Sequence, residues 1–453
     1  MKKLLPLILG ACLAIALGVA SADAQIVAVD LGTLGGGTLS VAYAVSNRGQ
    51  VVGIGLTADR RVRAFSWTPA GGMIDIGALN AGDDRVYAFA VNDEGQVVGR
   101  SCLVRECRAF LWTATGGMID LGAPVNNSTT AGAVNGRGQV IGASSNMGFF
   151  WSADTGIKWL GGPAASRPSA ISESGQVVGA SYSAVPQDRA FSWTLEGGMI
   201  ILLDDKINRA NDVNANGEIV GEYWTGSHLR ACMWTTERGF EDLGTLWGGH
   251  ESQALAINNR GQVIGTGRLP DYRSYGFLWT RDDGMSDLGT LGADTAPVAL
   301  NEAGQVVGWS DIPGIGQHAF IWSSGSRMLD LGTLGGGTSW AEAVNDAGRV
   351  VGHSRTADGE DHAAMWVTVP TAFDDLFALI GGFDLPRGIA TSLRMKLQNA
   401  RDALNAANRG QRKSAVGKLN AALNEIEAQR GQHLTEDQAN MLVSFIKGIL
   451  AVL

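Results

Sequence analysis

Ala90-Val91-Asn92-Asp93-Glu94-Gly95-Gln96-Val97-Val98-Gly99 reads as two short strands about a tight turn. Asn and Asp hydrogen-bond their own backbone, Gly accepts the positive φ that ends the turn, and Val-Val is a β-branched run. The pattern returns at 44–53, 133–142, 170–179, 212–221, 256–265, 299–308 and 343–352. Its turn glycines, from Gly49 to Gly348, are spaced 46, 43, 37, 42, 44, 43 and 44 residues apart. A near-constant period of that size marks a repeat architecture and suits a four-stranded propeller blade.

Each unit adds two strands. The third carries a small residue, an aromatic and a Trp, as in Ala64-Phe65-Ser66-Trp67 and Ala109-Phe110-Leu111-Trp112. The fourth follows a Gly turn and ends Asp-Leu-Gly, as in Gly117-Met118-Ile119-Asp120-Leu121-Gly122. With a period of two, Phe65 and Trp67 share one face and Ala64 and Ser66 the other, so bulky and small faces can wedge together between units. Eight of the 13 Trp occupy this one position, which makes them core rather than a sugar-stacking series. There are eight hairpins and eight third strands. The last unit stops at Trp366-Val367 without an Asp-Leu-Gly strand, while an unassigned Val29-Asp30-Leu31-Gly32 precedes the first hairpin. The expectation is an all-β propeller of about eight four-stranded blades, closed when the N-terminal strand completes the last blade and removes the open edge.

The pattern changes near Pro370. Four helical segments are expected, at about 371–381, 386–408, 412–430 and 435–452, with Gly410 and Gly431 at helix ends and a capping box at Thr435-Glu436-Asp437-Gln438. The 84 residues of 370–453 are enough for a small independent all-α domain. Residues 1–24 have the form of a secretory signal: Lys2 and Lys3, the apolar run Leu4–Ala20, and Ala22-Asp23-Ala24 before Gln25. Leu9-Gly10-Ala11-Cys12 also looks like a lipoprotein signal motif. No membrane span is expected in the mature chain. The division expected is therefore 1–24 signal, 25–369 propeller and 370–453 helical domain.

A net charge of −9 argues against nucleic acid as a partner. Export makes a hairpin disulfide between Cys102 and Cys107 plausible chemistry, and Cys232, standing where the third strand has its aromatic, reads as a buried thiol.

The repeats resemble the bacterial extracellular HAF-repeat family, named for the tripeptide standing here as His318-Ala319-Phe320; other units read Arg-Ala-Phe, as at Arg63 and Arg108. The likeness covers roughly residues 26–367. The tail resembles the FIMAH domain through Leu385-Pro386-Arg387-Gly388-Ile389, Ser392-Leu393 and Glu427-Ala428-Gln429-Arg430-Gly431-Gln432-His433-Leu434-Thr435. Both resemblances imply secretion. Neither implies a reaction or a set of functional residues.

Catalytic and metal-binding patterns are weak. Ser152-Ala153-Asp154-Thr155-Gly156-Ile157-Lys158-Trp159 is similar to the Asp-box of sialidase propellers, a turn brace found here in one unit. The Gly-rich loops Gly32–Thr38 and Gly332–Thr338 precede strands rather than helices, so they read as unit-to-unit connections and not phosphate cradles. Asp358-Gly359-Glu360-Asp361-His362 lacks the alternation of a calcium loop. No His pair has metal-ligand spacing, and no nucleophile motif is present. No cofactor and no enzymatic activity are expected. The expected function is a secreted binding scaffold for an extracellular protein or polysaccharide. The alternatives are a propeller glycoside hydrolase or lyase, and a structural surface protein attached through its tail. Recognition is expected in the links after each second strand, which hold Trp224, His228, Tyr272 and His318.

Overall fold

The computed structural model describes residues 25–122, 128–161, 165–182, 188–202, 207–406 and 409–453. The expected signal segment 1–24, with Cys12, lies outside them, as does most of the link 182–188. The chain is mostly β, in a propeller-like series of four-stranded antiparallel units followed by four helices. Six sheets have four strands each. The first two units share an eight-stranded sheet, joined by a single parallel pairing of Val62 with Arg85. In unit 1 the strands are Ser40–Val45, Val51–Leu56, Val62–Thr68 and Gly72–Asp75, each antiparallel to the next. In the last unit the outer place is taken by Ile26–Asp30, which pairs with Asp361–Thr368 from Ile26 opposite Thr368 to Asp30 opposite Ala364.

The first strands of consecutive units touch one another throughout, and the first strand of the last unit, Gly335–Val344, touches that of unit 1. They are therefore the innermost strands. Between units, bulky and small faces do meet. Phe110 and Trp112 of unit 2 share a buried cluster with Val52 and Ala64 of unit 1. Phe65 and Trp67 share one with Ala363 and Met365 of the last unit. The Gly of each Val-Val-Gly lies opposite the Phe position, as Gly99 does Phe110. A Cβ added at any of these eight glycines would fall 1.8–2.1 Å from a carbonyl oxygen of the first strand, so no larger residue fits.

The turn Asn does more than shape its own hairpin. Asn92 Oδ1 accepts from the N–H groups of Glu94 and Gln96, while its Nδ2 donates to Gln96 Oε1 and, at 2.8 Å, to the carbonyl of Asn135 in the next unit. Asn135, Asn214, Asn258 and Asn301 make the same forward bond, and Asn345 donates to the Ser46 carbonyl of unit 1. A local turn signal thus also joins units. The Asp of Asp-Leu-Gly has a double role too. Asp120 Oδ1 accepts from Gly122 N, and its carboxylate faces Arg108 of the third strand.

The helices are α1 Val369–Gly382, α2 Arg387–Asn405, α3 Arg409–Gln429 and α4 Glu436–Ala451. Thr435 and Gln438 form the capping box of α4 with both reciprocal bonds present, and Gly431 has φ +71°. Gly410 lies in the first turn of α3 instead of past a helix end. The expectation of an independent helical core is not met. Leu376, Leu379, Leu442, Phe445 and Ile449 share one buried cluster with Val27, Trp67 and Met365 of the first and last units. Trp67 Nε1 approaches Met441 Sδ at 3.3 Å, and Ser444 Oγ accepts from Asp30 N at 2.7 Å. Arg349 explains the placement. It stands where other units have Gln or Glu, and it makes a two-pronged, buried ion pair with Asp375 of α1.

Candidate functional site

The first strands each carry an unpaired residue at one equivalent bulge, with a further register shift near Asn208 in unit 5 and over 335–339 in the last unit. The equivalent residues are Tyr43, Phe89, Gly132, Ser169, Asn211, Leu255, Val298 and Glu342. A bulge re-aims a side chain. The position behind it is small and buried, like Ala42, Ala88 and Ala341. The bulged residues differ from unit to unit inside an otherwise repeated stretch.

Across the last unit and units 1 and 2 the innermost strands, with residues paired beside them, form an aromatic and charged cluster. Tyr43 lies 6.4 Å from Phe89, and Phe89 stacks on Tyr87 at 6.1 Å. The Arg100 guanidinium sits 4.6 Å over Tyr87 and 5.7 Å over Phe89. Trp340 stacks on His353 at 4.7 Å, and its Nε1 donates to Gln317 Oε1 at 2.7 Å. Glu342 approaches His353 Nδ1 at 3.9 Å. Burial pushes the Glu342 carboxyl up; Tyr43 is raised by burial, then by the charges of Glu342 and Tyr87. Burial lowers His353, with Asp361 opposing. All these side chains are partly exposed. Two further acids shift upward on other first and second strands. Asp212 rises to about 6 through burial against N–H bonds from Ile257 and Val213, and Glu222 rises through burial opposed by Arg209.

At the hairpin end a cavity of about 310 Å³ is lined by residues that include Asp93, Glu173, Glu302 and Asp346. Their carboxylates are engaged by backbone donors of the preceding units: Asn47 N to Asp93, Gly136 N to Glu173, Asn259 N to Glu302 and Glu302 N to Asp346. They brace the turns, and among the described residues no group of His, Cys, Asp or Glu is arranged to hold a metal ion.

The sequence-nominated residues separate. Tyr272 is 81% exposed on the link of unit 6, while Trp224, 39% exposed, ends the second strand of unit 5 and pairs with Leu229 instead of lying on a link. His228 stacks on His250 at 5.2 Å and lies 3.9 Å from Glu251. His318 is not a link residue. It lies in the strand Gly316–Trp322 and its Nδ1 faces Asp330 at 2.9 Å, the bond that Arg63 makes with Asp75. His362 of the oxygen-rich loop turns likewise onto Asp30. The HAF tripeptide's first residue is thus a strand-to-strand brace. Cys102 and Cys107 face each other in register and are joined by a disulfide, and Cys232 is a buried free thiol raised by burial. The Asp-box-like turn is held by Ser152 Oγ and Thr155 Oγ1 at 2.8 Å. Of the Gly-rich loops, the second is strand from Gly335 onward. Sequence reasoning missed the cluster on the innermost strands. The available signal was the unit-to-unit variation before each Ala-Val-Asn and after each Val-Val-Gly.

No family model and no curated protein matches this chain. Among solved structures it is similar to TolB from Acinetobacter baumannii, with 12% identity, 62% of this chain and 78% of that chain covered, and a TM-score of 0.36. A puromycin hydrolase mutant complexed with PGG gives 13%, 72% and 58%, with a TM-score of 0.45. The β-propeller domain of the Trilobed protease from Pyrococcus furiosus gives 11%, 65% and 98%, with a TM-score of 0.42. At such scores the fold description rests on this chain's own strand order and contacts. No described helix is long and apolar enough to cross a membrane.

Proposed function

We propose that this chain is an exported, non-enzymatic binding scaffold of the HAF-repeat kind, an eight-bladed propeller closed by its N-terminal strand and carrying a FIMAH-like helical tail. The observation that carries the binding reading is the channel wall. Positions that vary between otherwise repeated strands place Tyr43, Tyr87, Phe89, Trp340 and Glu342 of the innermost strands together with Arg100 and His353 of the second strands paired beside them, all partly exposed. Aromatic faces with a few charged groups on a rigid frame are the chemistry of ligand recognition. The forward Asn bonds, including Asn345 to Ser46, support closure, and the Cys102–Cys107 disulfide supports an oxidising destination. The non-enzymatic reading is supported by the placement of the shifted acids. Glu342 lies in the last unit, apart from Asp212 and Glu222 of unit 5, and Asp212 accepts two backbone N–H bonds.

The test uses residues 25–453 in sedimentation with whole bacterial cells and with a polysaccharide panel. Capture that weakens about tenfold, or 1.4 kcal/mol, in Tyr87→Ala and in Glu342→Gln at unchanged melting temperature supports the channel wall as the recognition surface. Capture unaffected by either substitution removes the channel from the reading, and no capture of any kind removes the scaffold at a cell or matrix surface.

A further inference from the structure

Trp247 is an anomaly of the repeat. The link from fourth to first strand reads Thr-Leu-Gly at 33–35, 290–292 and 333–335, but Thr245-Leu246-Trp247 here. Gly35 and Gly335 use the freedom of glycine, with φ of +52° and +102°. Trp247 takes φ +47° at the same place, where a side chain costs roughly 1–2 kcal/mol. The ring recovers little by packing. It is 62% exposed and meets Tyr275 edge-on at 6.1 Å. A large flat ring held out to solvent in an unfavourable backbone state marks a functional position.

Its surroundings complete a surface. Tyr275 is buried and its Oη accepts from Leu246 N at 3.1 Å, which anchors the link. On one side the link meets unit 5, through His250 stacked on His228, with Trp224 at the end of the unit 5 strand that precedes the His228 link. On the other it meets unit 6, where Gly249 lies against the Arg268 carbonyl at the base of the turn that presents Tyr272. The acids here face cations, Asp271 pairing with Arg273 at 2.6 Å and Glu251 lying by His228, so the surface selects neither sign strongly.

We infer that this link surface of units 5 and 6 is a stacking platform for the pyranose rings of an uncharged extracellular polysaccharide. Trp247 and Tyr272 offer ring faces to the apolar C–H faces of sugars. His228, His250 and Arg268 offer hydrogen-bonding groups for hydroxyls. Buried apolar partners would seek enclosure, which these exposed turn tips do not give. The platform is separate from the channel wall.

The test is affinity electrophoresis of residues 25–453 in gels containing a soluble β-glucan, dextran or galactomannan, with tryptophan fluorescence read in parallel. Retardation on at least one polymer is expected. Trp247→Gly restores the residue that this link carries elsewhere, so its melting temperature should hold or rise while retardation falls at least tenfold. Tyr272→Ala should weaken it in the same direction. No retardation on any polymer, or Trp247→Gly retarded like the parent chain, overturns the platform. Loss through Tyr87→Ala alone overturns it as well and assigns the sugar to the channel. Cell capture without retardation on any polymer sinks the platform but leaves the scaffold reading standing, with a protein partner favoured.

Discussion

At the scale of single residues, one side chain can carry a joint between distant parts of the chain. His362 holds the closing strand through Asp30, at 2.9 Å, where other units use Arg. Burial lowers the imidazole, but the Asp30 and Glu360 carboxylates outweigh it and the group titrates above its ordinary value. The sign follows from linkage. A histidine raised on folding contributes fully at pH below its unfolded value and loses that contribution as pH rises through the folded one. Denaturation midpoints should therefore fall as pH rises above the ordinary imidazole value. His362→Arg should flatten that slope, and His362→Ala should cost about 2 kcal/mol on the acid side. A slope unchanged by His362→Arg would place the titrating group elsewhere. Asp212 shifts stability with pH in the same sense, over a lower window. Every other unit has Ala at this place. Its rise to about 6 means that the folded chain loses stability as pH climbs from the ordinary carboxyl range to that value.

At the scale of elements, the repeat explains why its departures matter. Gln96, Gln139, Gln262 and Gln305 each accept from the turn Asn of their own hairpin. Arg349 gives up that role and reaches Asp375, fixing α1 against the last unit. Desolvation raises the Asp375 carboxyl while Arg349 draws it down, the balance of a charge kept buried by its partner. Arg349→Gln restores the repeat's residue yet strands Asp375, and should cost about 3–5 kcal/mol in chemical denaturation. Adding Asp375→Asn should recover a substantial part of it. Equal losses in the single and double variants would mean that the pair does not hold the helix.

At the scale of the whole molecule, the helices and the seam between first and last units form one core. Val27, Val29, Phe65 and Met365 are buried in the same cluster as Phe373, Leu397 and Ile446. Calorimetry should show residues 25–453 unfolding without a separate helical transition. Removal of 370–453 should lower the melting temperature by several degrees and expose surface to a hydrophobic dye. Two well-separated transitions in the intact chain would contradict the shared core. The same arrangement argues against testing the tail and the propeller as fragments, since the cut runs through packed side chains.

The sequence by itself determined the repeated hairpin, the third strand's bulky and small faces, the completion of the last unit by 26–30 and the four helices with the Thr435 cap. Each depends on periodicity, turn chemistry or capping, all of which act over a few residues. Tyr272 was legible as an exposed link residue, while Trp224 was misread because it ends a strand, and His318 because its partner Asp330 lies on the neighbouring strand. Only the tertiary structure decided what the turn asparagines bond to, where Arg349 points and which variable side chains meet on the innermost strands. These contacts join residues 26 apart for Arg349 and Asp375, 37 apart for Asn135 and Ser172, and 299 apart for Asn345 and Ser46, and no local pattern encodes the distance between such groups.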